Sequence, residues 1–355
     1  MMIPIILTSI IGTIYDSKKL NGKLLWKTVS LFIIMFVITF LLTVGVTWLI
    51  KPGIGFAFSP VEWSGNVESL SYSDMIINLF PSNLIDMMQK NAIFATILFA
   101  LVFGMAATKT KNGEKVIEVI EGLKEIFYQI LKYILYLTPV ATLSLVGTTV
   151  ANYGEILIGV GLKYIGMAYL CGFLALIFVM ILPAWIFAKV SPLKYIQKAS
   201  KVWLMTVTTC SSAATLPTTM KVCEEEFGIS QKVTNIVVPL GCTIHMCGGA
   251  VSFALLGIFC SQLFGIAITP LLFLQMILGA TIINMAAPGI PNGGIVIGAT
   301  YLALLGIPLE FIGFYSGIYK LLDMAYTTLN VTGDITANMI LNHSLRLEEG
   351  AEHAN

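Results

Sequence analysis

Five polar side chains near the end of the chain are spaced so that they share one face of an α-helix. They are Lys320, Asp323, Thr327, Asn330 and Asp334, and they lie within an apolar segment that runs from residue 307 to residue 341. Steps of three and four residues bring side chains to the same side of a helix. Carboxylates and an ammonium group are costly at membrane depth, so this polar face must meet protein, water or a solute rather than lipid. The pattern predicts a binding site for a polar solute or a cation.

The overall composition indicates the kind of protein that carries this face. Hydrophobic residues make up 57% of the 355 residues and charged residues only 11%, and the mean hydropathy is +0.88. A soluble domain carries about 25% charged residues. The formal net charge of +1 gives no reason to expect a nucleic-acid partner. We therefore expect an all-α polytopic protein in the lipid bilayer, multi-pass in the inner membrane of the cell.

Apolar runs of sufficient length predict the membrane spans. The predicted full spans are 24–50, 91–108, 126–146, 156–187, 233–264 and 307–341. Two further runs, 203–220 and 271–302, are interrupted at their centres by small and polar residues. Irregular backbone at membrane depth is tolerated only where it is buried in protein or faces water, so these two runs predict re-entrant hairpins. Interrupted segments in corresponding positions point to a transport site near the midplane.

Lysine clusters predict the orientation of these spans. The clusters lie at 18–27, 109–124 and 189–201, and the positive-inside rule places them in the cytoplasm. The tail after Asn342 also falls inside if both interrupted runs are re-entrant, which agrees with the hairpin interpretation.

Four motifs occur in order along the second half of the chain. They read SSAATLP at 211–217, PLGCTIHMCGG at 239–249, PGIPNGG at 288–294 and DMAYTTLNVTGD at 323–334. The three glycines of the second motif, together with Thr243 and His245 inside a predicted span, predict local unwinding and exposed carbonyls there. Together the four motifs resemble the dicarboxylate/amino acid:cation symporter family, the glutamate-transporter-like carriers, whose motifs are SSSxTLP, PLGATINMDGT, GxPG and DxxRTxxNVxGD. The resemblance extends from Met1 to about Leu341. The chain begins where family members are already about one and a half spans in, so we expect an N-terminally truncated or divergent member.

The resemblance implies a homotrimer in which each protomer has a scaffold and a transport domain that moves like an elevator. The expected divisions are scaffold spans in 1–71, mixed scaffold and transport spans in 72–202, a transport core in 203–341 and a cytoplasmic tail in 342–355. The implied substrate-binding residues are Ser211, Ser212, Thr215, Gly249, Pro291, Asn292, Asp323, Tyr326, Thr327 and Asn330. The implied cation-binding residues are Gly241, Thr243, His245, Met246, Ala286, Asn330 and Asp334.

Two departures from the family motifs bear on substrate and coupling ion. The carboxylate of NMDGT is replaced by Cys247, which a hard cation such as sodium does not favour. The arginine of DxxRT is replaced by Tyr326, and the one arginine of the chain, Arg346, lies beyond the last predicted span. The clamp for an acidic substrate side chain is therefore absent, which favours a neutral amino acid over glutamate or aspartate.

Three residues leave alternatives open. Lys320 is either a tethered cation, a counter-charge for an anionic substrate, or a partner that neutralises Asp323. His245 is either a proton-coupling group or a neutral interior histidine. Cys242, His245 and Cys247, with Cys210 near, also have the residue types of a soft-metal site.

We therefore predict a secondary active transporter, not an enzyme. It couples uptake of an amino acid or dicarboxylate to sodium, with protons as the other candidate ion, and needs no organic cofactor and no metal beyond the alkali cation. The alternatives are a solute sensor that does not transport and an uncoupled anion-conducting homologue.

Overall fold

The computed structural model of the chain describes residues 22–55, 93–135, 156–285 and 293–352, with a few isolated positions outside these ranges. Every regular element in these ranges is helical, which confirms the predicted all-α class. The elements of the first half are α1 (Gly22–Ile50), α2 (Ile93–Ala107), α3 (Gly113–Leu135), α4 (Ile156–Ala175), a π-helical segment (Leu176–Ile181) and α5 (Leu182–Ala188). Those of the second half are α6 (Pro192–Thr209), α7 (Ser212–Lys221), a π-helical segment (Val222–Glu226), α8 (Gln231–Ile244), α9 (Cys247–Leu263), α10 (Pro270–Met285), α11 (Gly293–Leu304) and α12 (Glu310–Glu352).

Three helical stretches in the described ranges are long and apolar enough to cross a bilayer. They are Leu24–Ile50, Gly159–Ala188 and Gln231–Leu263, which agree with the spans predicted at 24–50, 156–187 and 233–264. The span predicted at 91–108 corresponds to α2. The span predicted at 126–146 lies partly outside the described residues, and α3 begins well before it. The early turns of α3 are amphipathic, with charged residues between apolar ones, so an apolar run does not reveal where this helix begins.

The first interrupted segment forms a helical hairpin. Helix α6 ends at Thr209, and the Cys210 that caps it has a left-handed φ of 48°. Helix α7 then runs back beside α6. The Thr218 hydroxyl lies 3.1 Å from the Met205 sulfur across the two helices. At the open end, Lys201 donates to Glu226 over 2.6 Å, and this hydrogen bond holds the pKa of Glu226 below its usual value. The turn of the second interrupted segment, 286–292, lies outside the described residues.

The span that follows this hairpin is unwound at its centre, as predicted. Helix α8 ends at Ile244 and α9 begins at Cys247, while His245 and Met246 between them have extended backbone angles. The unwound pair frees backbone groups from the helical ladder, and these must be satisfied by other parts of the protein. Helix α12 satisfies one of them, the Gly248 N–H at the start of α9.

Helix α12 continues beyond its predicted end at Leu341. It has 43 residues and includes most of the predicted tail. No glycine or proline occurs between Gly333 and Gly350 to end it. Its last turns are also tied to the loop before α8, because Asn342 accepts from the Ser230 N–H over 3.2 Å and Arg346 donates to the Gly228 carbonyl over 2.9 Å.

Aromatic side chains fix α12 against α4 and α9. The Tyr164 ring meets Phe259 edge-on with centroids 5.0 Å apart and Tyr315 edge-on at 5.9 Å. All three are fully buried. This cluster sets the rotation of α12, so its polar face points toward the unwound pair.

Close backbone approach between α9 and α12 depends on Gly248. A Cβ at this position would overlap the backbone carbonyl of Tyr326, which cannot move aside cheaply. We expect Gly248→Ala to lower the midpoint of thermal unfolding in detergent, since forced overpacking costs about 1–3 kcal/mol. Gly166→Ala is the matched control, because a Cβ at this helical glycine would enter open space. Equal midpoints for the two variants would contradict the close approach.

Candidate functional site

The polar face of α12 meets the unwound pair and the turn of the first hairpin. Asp323, Thr327, Asn330 and Asp334 are all buried, whereas Lys320 is exposed. Sequence spacing therefore identified the face correctly, and four of its five members lie in the protein interior. Such burial requires a polar partner for each group.

The middle of the polar face of α12 provides a hydrogen-bond acceptor for the backbone at the start of α9. Asn330 accepts a hydrogen bond from the Gly248 N–H over 2.7 Å, so the amide supplies the partner that a helix N-terminus lacks. One turn earlier, Thr327 donates to a carboxylate oxygen of Asp323 over 3.1 Å. These two bonds orient the side chains that border a cavity.

The end of the face pairs with a histidine. Nδ1 of His245 lies 2.8 Å from Oδ1 of Asp334, and Nε2 lies 3.1 Å from the Cys247 sulfur. The Phe32 ring of α1 stacks on the imidazole with centroids 4.3 Å apart and planes 6° apart. A neutral imidazole that donates from Nδ1 and accepts at Nε2 from the thiol satisfies both contacts. Protonation would add a positive charge beside the carboxylate, so the pair can hold a proton.

Glycines allow the pair to form. The Asp334 carboxylate lies directly against Gly241, where a Cβ would overlap it. A Cβ on Gly333 would lie 2.8 Å from the imidazole Cε1. The carbonyl of Gly241 is also engaged, because it accepts from the His245 N–H over 2.9 Å. Three of the predicted cation-binding residues, Gly241, His245 and Asp334, are thus occupied by one another.

A cavity of about 40 Å³ lies at the other end of the face. A water molecule needs roughly 10–15 Å³ on this measure, so the cavity has room for a small solute. It is lined by the hairpin turn, the start of α9, the end of α10, the start of α11 and α12. The lining residues are Cys210, Ser212, Met246, Gly249, Ser252, Phe253, Asn284, Gly294, Ile297, Tyr319, Asp323, Tyr326, Thr327 and Asn330.

Six of the predicted substrate-binding residues line this cavity: Ser212, Gly249, Asp323, Tyr326, Thr327 and Asn330. Met246, predicted for the cation, lines it as well. Ser211 and Thr215 do not, since the Ser211 hydroxyl accepts from the Ala214 N–H and caps α7, while Thr215 donates to carbonyls of its own helix. The predicted positions Ala286, Pro291 and Asn292 lie outside the described residues.

The remaining predicted cation groups take local roles. Thr243 donates to the Leu240 carbonyl over 2.8 Å. Among the described residues, no cluster of three or more His, Cys, Asp or Glu side chains has metal-binding geometry. The soft-metal alternative for Cys242, His245 and Cys247 therefore gains no support.

Sequence reasoning missed three polar lining residues. Ser252 and Tyr319 carried a signal in their spacing, since Ser252 follows Gly249 by three positions and Tyr319 precedes Asp323 by four, so each shares a helix face with a predicted residue. Asn284 is an amide within the apolar run of α10, and that isolated polar residue was its only signal.

Comparisons with known proteins show which family and which proteins this sequence resembles. Residues 1–344 match the sequence profile of the sodium:dicarboxylate symporter family. The chain is 27% identical over 354 residues to a proton/glutamate-aspartate symporter of Bacillus subtilis (strain 168), covering 96% of this chain and 84% of the relative. It is 27% identical over 355 residues to a proton/sodium-glutamate symport protein of Geobacillus stearothermophilus, with 96% and 83% covered. It is 26% identical over 386 residues to neutral amino acid transporter B(0) of Oryctolagus cuniculus, with 96% and 70% covered.

The buried contact between His245 and Asp334 makes a testable prediction about stability. His245→Ala or Asp334→Ala alone leaves a buried polar group without its partner, which costs about 1–3 kcal/mol. We expect the double variant to be destabilised by clearly less than the sum of the two single effects. Unfolding midpoints in mixed denaturing micelles measure all four proteins of this cycle. Additive effects would show that the two side chains do not interact.

Proposed function

Because the chain belongs to the sodium:dicarboxylate symporter family, we propose that it carries an amino acid across the inner membrane of the cell together with a cation. The family and the similar proteins are transporters, not enzymes. The observation that carries the proposal is the buried carboxylate of Asp323 at the edge of a cavity bordered by the hairpin turn and the unwound span. Binding sites at broken helices are typical of secondary transporters.

The cavity residues suit the α-amino acid group. Asp323, oriented by Thr327, is an acceptor for the substrate ammonium. Ser212 lies at the N-terminus of α7, where backbone N–H groups favour an anion, so this turn suits the α-carboxylate. Asn330 links the cavity to the start of α9 through Gly248.

The part of the cavity beside Tyr326 favours a substrate with a neutral side chain. Tyr326 occupies the motif position of an arginine, and no basic residue is among the described lining residues. The similar proteins include both glutamate/aspartate symporters and neutral amino acid transporters, so their names leave both classes open. An acidic substrate side chain would be buried here without a counter-charge, which is costly.

For the coupling ion we favour the proton. His245 and Cys247 replace the asparagine and aspartate of the family motif, and the imidazole occupies one side of Asp334. The titratable groups that face this pair are Cys247 at Nε2 and the nearby thiols of Cys242 and Cys223. Helix α1 contributes the Phe32 ring. A proton shared by His245 and Asp334 would replace the charge that sodium supplies. Sodium at Thr243, Ala286 and the surrounding carbonyls is the second candidate.

The mode of transport that we propose is the one that the family resemblance implies. Two re-entrant hairpins, the unwound span and α12 would form the mobile transport domain, and a homotrimer of scaffolds would hold it. Elevator motion of this unit would expose the cavity to each side of the membrane in turn. A solute sensor and an uncoupled anion channel are the competing functions.

Gradient-driven uptake into proteoliposomes tests the proposal. We expect a neutral amino acid to accumulate when the outside is acidic in sodium-free buffer. Accumulation that requires sodium and ignores the pH gradient would make sodium the coupling ion. Binding without flux would indicate a sensor, and anion current alone a channel.

The double variant His245→Asn, Cys247→Asp tests which residues choose the ion. It restores both motif residues, so we expect uptake to lose its pH dependence and gain stimulation by sodium. If the variant folds, binds substrate and still couples uptake to protons, His245 is not part of the coupling mechanism.

Replacing Asp323 tests the ammonium contact. Asp323→Asn keeps the shape but removes the charge that holds the ammonium, and charged hydrogen bonds contribute about 1.5–3 kcal/mol. We expect amino acid affinity, measured by calorimetry in detergent, to fall by at least about tenfold. Lys320→Gln is the control on the same face, because Lys320 is exposed and does not line the cavity. A change in coupling stoichiometry with Lys320→Gln would instead support the tethered-cation alternative.

A further inference from the structure

Asn284 reaches into the cavity through space left by Gly249. A Cβ on Gly249 would overlap Oδ1 of Asn284, so the amide lies directly against the glycine backbone. Gly249 corresponds to the threonine of the NMDGT motif. Where family members have a threonine side chain on α9, this chain has a glycine, and the Asn284 amide of α10 lies at the same border of the cavity.

The amide oxygen of Asn284 is buried and makes no hydrogen bond with the described part of the chain. The residue is 2% exposed. A buried acceptor without a partner costs about 1–3 kcal/mol, so a retained one is explained best by a ligand that completes it. Asn284 lines the same cavity as Asp323, which provides that opportunity.

The Tyr326 side chain lines the same cavity, with its hydroxyl close to those of Ser252 and Tyr164. The Tyr326 hydroxyl is buried and also makes no hydrogen bond with the described residues. Beside it, the Ser252 hydroxyl is engaged with the Tyr315 hydroxyl at 2.7 Å. Asn284 and Tyr326 come from different helices, so their convergence on one cavity does not follow from a single local structure.

We propose that Asn284 is a specificity residue whose amide oxygen accepts a hydrogen bond from the side chain of the transported amino acid, with the Tyr326 hydroxyl as the second contact. This assignment rests on the proposed function and narrows its substrate. The side chain must be uncharged, small enough for a cavity of about 40 Å³ and able to donate a hydrogen bond. Hydroxyl-bearing amino acids such as serine meet these conditions.

Asn284 would discriminate between substrates because its amide oxygen stays without a hydrogen bond when the wrong substrate is bound. A substrate with a methyl group in place of the hydroxyl would leave the Asn284 oxygen buried and unpaired. Sites built to hydrogen-bond a substrate hydroxyl reject such analogues strongly, whereas apolar pockets separate them poorly. Asn284 would therefore act on the choice between substrates and much less on the recognition of their shared α-amino acid group.

Serine and α-aminobutyrate form the test pair, because they are similar in size and differ in hydroxyl against methyl. Their affinities are measured by calorimetry on the purified full chain in detergent. In the wild-type protein we expect serine to bind about tenfold more tightly or better. In Asn284→Ala and in the near-isosteric Asn284→Leu the ratio should approach one, and Tyr326→Phe should reduce it in part.

Thr281→Val is the matched control. Thr281 lies one turn earlier on α10, donates to the carbonyl of Ile277 over 2.7 Å and does not line the cavity. The preference of the Thr281→Val variant for serine over α-aminobutyrate should equal that of the wild-type protein. An unchanged ratio in both Asn284 variants, or no serine preference in the wild-type protein while neutral amino acids bind, would overturn the assignment and leave the proposed function standing. If the protein binds only glutamate or aspartate, the proposal of a neutral substrate is wrong. The role of Asn284 as a specificity residue for that substrate is then wrong as well.

Discussion

Asp334 has only 1% of its surface exposed among apolar helices, and a carboxylate at such a site must be neutralised or paired. The His245 imidazole meets it at 2.8 Å, and this contact brings three separate parts of the chain together. The histidine can reach Asp334 because α8 and α9 are unwound at His245. Phe32 of α1 then covers the far face of the ring and excludes water. Much of the second half is arranged around this buried pair.

The contact between His245 and Asp334 also requires glycines, because it forms only where the backbones of neighbouring helices approach closely. Gly241 and Gly333 make room for the carboxylate and the imidazole, and Gly248 lets α9 lie against the backbone of α12. A side chain at any of these positions would separate the elements that the pair connects. The glycines of the motif at 239–249 are thus explained by close packing as well as by the unwinding that the sequence predicted.

The sequence predicted the polar face, the hairpin turn and the unwound pair because each leaves a local pattern: a helical period, a cluster of small residues, or glycines in an apolar run. It did not predict Asn284, since the role of that amide depends on its approach to Gly249, which is 35 positions away in the chain. It placed Ser211 and Thr215 in the site because the motif includes their hydroxyls. In the structure these hydroxyls hydrogen-bond to the backbone at the start of α7, and their part in substrate binding stays a prediction. It ended the last helix at Leu341 because hydropathy reports where lipid ends, not where helical hydrogen bonding ends.

The cavity and the buried pair are joined by a short series of contacts. Asn330 borders the cavity and binds the N–H of Gly248, the neighbour of Cys247, whose sulfur contacts His245 and through it Asp334. Coupling requires that a substrate and an ion each change the affinity for the other by the same factor. A substrate that draws Asn330 toward itself would shift the start of α9 and with it the thiol and imidazole. Conversely, a proton on the pair would alter the position of α9 at the cavity. In this arrangement the ion would not need to touch the substrate, because the first turn of α9 contacts both the cavity and the proposed proton site.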